Sequence, residues 1–231
     1  EPTAFDSWAR TARIGGAAVW NGMTSAEMDS LLNKLAAQNV SVIEADSDLS
    51  NYLTDAEFEQ ELALIKTFTQ KAHAHANKFK VVWYYPALEV LTANAASTPN
   101  TMSKNHPDWI QLGIDLTSNV FIGGSGQVFW VDPGMESAWM SPSSPYRDYF
   151  QGRVARIANE TGVDGLWADV PLYSDFGPVR WADANPFAVA QFQSTNPGFT
   201  TPTSENWTSL AWRRWIAWRH NELRRFIADA A

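Results

Sequence analysis

Asp169 closes the apolar segment Val163 to Val170, and Pro171 follows directly. That segment is rich in strand-forming residues, and a proline after it denies the next ladder hydrogen bond, so the spacing predicts a strand that ends at the carboxylate. In an α/β sheet or barrel, loops leaving the C-terminal ends of strands build the ligand site. An acidic residue at such an end also serves as a cap for the loop or the next helix. The loop that follows carries Tyr173, Asp175, Phe176, Arg180, Trp181 and Asp183. Rings suit the C–H faces of a sugar and charged groups suit its hydroxyls, although the same rings can pack against the next helix.

Three earlier groups end on similar residues. Glu44, Asp46 and Asp48 close a β-rich run from Val40. They either reach sugar hydroxyls or form a solvated loop with helix-capping duties. Tyr84 and Tyr85 end the run that starts at Phe79, with Pro86 and then Glu89 behind them. These rings either face a ligand or pack under the loop. Asp132 follows the run Gln127 to Val131, which reads as a short strand. Trp20 at the end of the first strand and Trp167 beside Asp169 complete the candidate sugar contacts. His73 and His75 stand two apart near a helix end and point in different directions, so no metal site is expected from them.

The elements that position these residues alternate. A strand over 14–20 is followed by a helix over 25–38, announced by Thr24 with Glu27 three residues on, a capping box. Its apolar face is Met28, Leu31, Leu32 and Leu35. A second strand covers 40–46. Thr54 and Glu57 repeat the capping box for a second helix with Phe58, Leu62, Ile65 and Phe68 or Thr69 in a stripe. The third strand is 79–85, and an irregular stretch from about Thr92 to Gly126 follows. A helix over 144–161 leads into the Asp169 strand, and a final helix, starting at Ser204 or Trp207, buries Trp212, Trp215, Ile216, Leu223, Phe226 and Ile227. Strand and helix alternation predicts a parallel sheet.

Composition narrows the ligand. The net charge of -8 disfavours nucleic acid and anionic membranes as partners. No apolar run approaches the ~20 residues of a membrane helix. The absence of Cys removes disulfides and thiolate chemistry. Twelve Trp residues against six Tyr suit both a core and sugar-stacking surfaces. No cofactor is expected, since Gly123 to Gly126 lacks the Lys-Ser/Thr of a phosphate-binding loop. The start Glu1-Pro2-Thr3 without Met fits a mature secreted or periplasmic protein, and an artificial chain start explains it equally well.

The pattern Gly162 to Asp169 resembles the fourth strand of retaining glycoside hydrolases of the (β/α)8 class. It is most similar to a hypothetical glycosyl hydrolase group related to α-amylases and α-L-fucosidases. Asn105 to Ile110, containing His106-Pro-Asp-Trp109, resembles the stretch after the third strand of that group, and Trp212 to Arg219 resembles its helix after the fourth. The resemblance implies a carbohydrate substrate, Asp169 as nucleophile, and His106 and Trp109 at the substrate rim. α-Amylases have Arg two residues before the Asp, where this chain has Trp167, which points away from amylase specificity. The proton donor of the relatives comes from a later strand; Glu89, Asp132 and Asp175 are the substitutes available.

The expected fold is therefore α/β of the (β/α)8 TIM-barrel type, with about four βα units in this chain. Residues 1–231 are expected to form a single catalytic-type (β/α) barrel domain, whole or C-terminally truncated, whose units are the N-terminal half of a barrel or a fragment cut from one. A half-barrel exposes strand edges, so self-association that covers them is a second expectation, and a non-catalytic carbohydrate-binding or self-assembling module is the alternative to an enzyme.

Overall fold

The computed structural model describes residues 10–124 and 128–230. They divide into two compact units interleaved along the chain. The first comprises the residues up to Leu49, Leu53–Tyr85 and Ala155–Asp169; the second comprises Ser50–Tyr52, Pro86–Val154 and Val170 onwards.

The first unit is built on a four-stranded parallel sheet in the order β1-β2-β3-β7. The strands are β1 (Ile14–Ala18), β2 (Val42–Asp46), β3 (Lys80–Tyr84) and β7 (Gly165–Trp167). Helix α1 (Ser25–Ala37) joins the first two and α2 (Asp55–Ala74) the next two. Both capping boxes form as the sequence predicts: Thr24 and Glu27 bond reciprocally at α1, and Thr54 and Glu57 at α2. Asn39 turns the chain out of α1 at φ 56°, a left-handed conformation that Asn tolerates. Met28, Leu32 and Leu35 of α1 are buried, as are Phe58, Leu62, Ile65, Phe68 and Thr69 of α2. One sheet face is sealed, with Ala17, Ile43, Ala45, Val81 and Trp83 buried. Gly15 lets the chain come close there, since a Cβ on it would lie 2.6 Å from Val40 Cγ2.

Register fixes the other face. Glu44 pairs with Gly16 and Val82, and Val82 with Gly165. Two residues on, Asp46 pairs with Ala18, and Tyr84 with Trp167. Side chains alternate across a strand, so Glu44, Asp46, Tyr84 and Trp167 stand on one face toward the C-terminal strand ends.

The second unit contains a three-stranded antiparallel sheet of β4 (Glu89–Thr92), β5 (Val120–Ile122) and β6 (Glu136–Trp139), in the order β4-β6-β5. This corrects the irregular stretch expected over 92–126, which also includes the short helix α3 (Met102–Asn105). The strand expected before Asp132 is absent over 128–131, where the Val131 amide bonds back to Val128 in a turn; Gln127 lies outside the described residues. Helix α4 (Tyr146–Thr161) runs through both units. Helix α5 (Pro186–Thr195) was not anticipated, although Asn185 as N-cap and Pro186 in its first turn are start signals. Helix α6 (Leu210–Ala228) buries Trp212, Trp215 and Trp218 against Ala188 and Phe192 of α5. The core assignment of Trp212, Trp215 and Phe226 thus matches the structure.

Candidate functional site

In the first unit the predicted residues converge at the C-terminal ends of the parallel strands. Asp169 lies two residues beyond β7, half-buried, and accepts a hydrogen bond from the Tyr84 hydroxyl at 3.1 Å. The Tyr84 ring meets the Trp167 ring edge-on, centroids 5.5 Å apart at 89°. Trp167 is 44% exposed and presents apolar surface beside the carboxylate. Glu44 has a raised pKa: burial is the main cause, and the negative charges of Asp46 and then Asp169 add to it. Asp46 is also raised, by burial and by Asp48, against the lowering effect of the Ser47 amide. Glu44 is thus repelled by both Asp46 and Asp169 at this strand-end rim, an arrangement that gains from hydrogen-bond donors. Trp20 is exposed after β1, while Tyr85 is buried and its amide bonds to the Trp167 carbonyl at 3.0 Å, a packing role.

A clasp behind this rim was missed by sequence reading. Glu61 of α2 is fully buried and accepts from Asn21 Nδ2 and from the Ser47 hydroxyl, each at 2.7 Å. Ser47 in turn accepts from Trp83 Nε1 at 3.1 Å. The signal was present: position 61 lies within the Phe58, Leu62 and Ile65 stripe, where a carboxylate needs partners. Asp164, just before β7, receives Lys80 Nζ at 2.7 Å, His73 Nε2 at 2.8 Å and the Val81 amide at 2.9 Å. His73 is thereby engaged with a carboxylate.

The second unit holds the remaining predicted residues in different surroundings. Glu89 is only 5% exposed and accepts from the Ser137 hydroxyl at 2.7 Å and from Trp130 Nε1 at 3.1 Å, inside the antiparallel sheet. Asp132 is exposed in a turn where its carbonyl accepts the Met135 amide. His106 and Trp109 stack with centroids 3.7 Å apart at 16°, both half-buried, and Trp109 also packs on Tyr146 and Tyr149. Burial lowers the His106 pKa, against an opposing effect of Asp108. Tyr173 and Trp181 line a cavity of about 650 Å³ together with Asp175, Phe176, Glu205 and Arg219. Asp175 is exposed on that wall. No cluster of three or more His, Cys, Asp or Glu suited to a metal ion occurs among the described residues.

Val170, directly after Asp169, sits at φ 48°, and Trp181 at φ 59°. A β-branched residue in the left-handed region costs about 1–2 kcal/mol, and such outliers concentrate at functional sites.

Fold and rim together define an α/β protein with a parallel sheet of four strands and a carboxylate-rich end. No family model matches the chain, and no curated protein matches it. Among solved structures, a hypothetical protein from Ruminiclostridium thermocellum ATCC 27405 aligns with a TM-score of 0.50 at 12% identity. The alignment covers 93% of this chain and 90% of that one, and it concerns the fold alone.

Proposed function

We propose that the protein is a retaining glycoside hydrolase built on a (β/α)8-type barrel, with Asp169 as its nucleophile. The observation that carries this reading is Asp169 itself: a half-buried carboxylate beyond the end of a parallel strand, held by the Tyr84 hydroxyl and flanked by an exposed indole. In such a mechanism the ionised carboxylate attacks the anomeric carbon, and the glycosidic C–O bond breaks as the leaving oxygen takes a proton from a second carboxyl group. Water then cleaves the glycosyl ester with the stereochemistry retained. Tyr84 fixes the direction from which Asp169 approaches. Glu44 and Asp46 accept hydrogen bonds from ring hydroxyls, and Trp167 covers a C–H face.

The test is hydrolysis of a panel of aryl glycosides by the wild-type chain and by Asp169→Ala, with mass spectrometry of the wild type to trap a glycosyl adduct on the peptide containing residue 169. Turnover by the variant at the wild-type rate would remove Asp169 from the mechanism. Sugar binding without turnover in either protein would favour the non-catalytic carbohydrate-binding module.

A further inference from the structure

Arg219 on α6 is 8% exposed, its Nε is buried without an acceptor, and no ion pair is formed by its guanidinium among the described residues. What surrounds it is aromatic: its guanidinium carbon lies 4.5 Å from the Tyr173 ring centroid, 4.7 Å from that of Trp215 and 5.8 Å from that of Trp181. Three residues further along the same helix the contrast is sharp. Buried Glu222 receives Gln191 Nε2 at 2.7 Å and Arg225 at 2.8 Å. Buried charged groups are paired almost without exception; the buried Asp183 carboxylate acts on Arg219 electrostatically but takes no hydrogen bond from it, so the guanidinium fork keeps donors open to a further acceptor. Burial lowers its pKa to about 10, against the raising effects of Tyr173 and Asp183, which leaves it charged at neutral pH.

Beside it the Tyr173 hydroxyl and Asp183 Oδ2 are also buried without a hydrogen bond, although Asp183 Oδ1 accepts the Leu112 and Asn185 amides, and both groups interact electrostatically with Arg219. Arg219 and Tyr173 line the cavity of about 650 Å³. That volume is within the ~300–1,000 Å³ usual for organic ligands and far beyond what a lone inorganic anion needs. Glu205 on the same wall keeps its negative charge, since its oxygens accept from two neutral donors, Trp181 Nε1 at 2.9 Å and Trp207 Nε1 at 2.7 Å, but it makes no ion pair with Arg219 among the described residues. Phe176, 45% exposed, and the half-buried Trp181 add ring surface to the lining. The overall charge of -8 opposes an anion at long range, but screening beyond ~8 Å at physiological salt leaves the lining to decide, where Arg180 and Arg219 face Asp175 and Glu205 and only Arg219 is buried.

We propose that this cavity binds a carboxylate-bearing sugar, a hexuronate unit, whose carboxylate pairs with Arg219 and whose ring lies against Phe176 and Trp181. The site goes beyond the glycosidase reading and shares with it only the sugar. Both carboxylate oxygens meet the guanidinium fork, which Lys cannot reproduce.

The experiment is isothermal titration calorimetry of the full chain at pH 7 with glucuronate, galacturonate, glucose, galactose, acetate and inorganic phosphate. One of the uronates is expected to bind at least about tenfold more tightly than its neutral counterpart, and Arg219→Lys to weaken it by about tenfold or more. Phe176→Ala, at an exposed ring, is expected to weaken the uronate about fivefold while leaving acetate unchanged; it decides the matter if the Arg219 variant does not fold. Neutral sugars binding as well as uronates would overturn the proposal. Acetate or phosphate matching the uronates would overturn its sugar part and leave a plain anion site. Asp169→Ala is expected to retain uronate binding, so loss of hydrolysis in that variant bears on the nucleophile and loss of uronate binding in Arg219→Lys bears on this site. Hydrolysis of neutral glycosides by a wild type that binds no uronate would sink this inference alone.

Discussion

Tyr84→Phe removes one atom and separates a positioning role from a structural one. The deleted hydroxyl donates to Asp169 at 3.1 Å, longer than the ~2.7–2.8 Å usual for an O–H···O bond. A hydrogen bond to a charged group contributes about 1.5–3 kcal/mol, and the long contact places this one at the low end, about 1–2 kcal/mol. If that energy holds the nucleophile in its attacking direction, kcat/KM falls by about 5- to 30-fold. The ring stays, with its edge-on packing on Trp167, so the unfolding free energy is expected to fall by no more than the bond itself, about 1–2 kcal/mol, and the fold is retained. The assay is kcat/KM on the aryl glycoside that the wild type turns over best, beside urea unfolding of both proteins. Unchanged kcat/KM with unchanged stability would refute the positioning argument. A loss as large as that of Asp169→Ala, at full stability, would refute it in the other direction by giving Tyr84 a chemical step of its own.

Three further outcomes follow from the same geometry. Burial pushes the Asp164 pKa up, but bonds from Lys80, His73 and the Val81 amide outweigh it and hold the group below the usual Asp range. Its stabilisation is therefore present above the unfolded value of ~3.9 and lost as pH falls through the lower folded value. Since Lys80 and His73 are well exposed, Asp164→Asn is expected to cost only about 1–2 kcal/mol at pH 7, and urea melts down to pH 3 should show a shallower acid loss than in the wild type. On the glycosidase reading Glu44, raised by burial and by its carboxylate neighbours, accepts sugar hydroxyls more strongly when ionised, so affinity should be highest above its pKa and fall as pH drops through it; Glu44→Gln should flatten that profile in titrations between pH 7 and 4.5. Burial also raises Glu61, outweighing the bonds from Ser47 and Asn21, so the folded state binds this proton more tightly than the unfolded one. The wild type therefore gains stability from Glu61 as pH falls from neutral toward ~4.3, and the deficit of Glu61→Gln should widen over that window; a deficit that narrows would contradict the burial argument.

How much of this was legible in the sequence depends on whether the signal is local. The two capping boxes and the stripes of α1 and α2 need only side chains within a few residues of one another, and they form as read. The convergence of Glu44, Asp46, Tyr84 and Asp169 was readable because parallel strands place their C-terminal ends together whatever the loops do. The antiparallel sheet was not, since Val120–Ile122 and Glu136–Trp139 are short and their pairing spans the loop between them. Glu89 looked like a rim carboxylate because its partners, Ser137 and Trp130, are more than forty positions along the chain. Arg219 was invisible as a ligand group for the opposite reason. Only the absence of a hydrogen bond among the described residues in three dimensions marks it.

The clasp at Glu61 explains why the rim depends on α2 and not on the strands alone. Strand hydrogen bonds fix Glu44 level with Val82, but the ladders end within a residue of Asp46 and Tyr84, where the chains diverge into loops. Beyond that point Asn21 after β1 and Ser47 after β2 are both tied to Glu61, and Ser47 receives the Trp83 indole of β3. One buried carboxylate thus gathers the ends of three neighbouring strands at the level where Trp20, Asp46 and Tyr84 leave the sheet. A hydrophobic residue at position 61 would continue the α2 stripe and pack with the core, yet it would leave the Ser47 hydroxyl without its acceptor and the loops free to separate. Keeping an ionisable group in an apolar stripe is costly to stability, and the geometry of the rim is what that cost maintains.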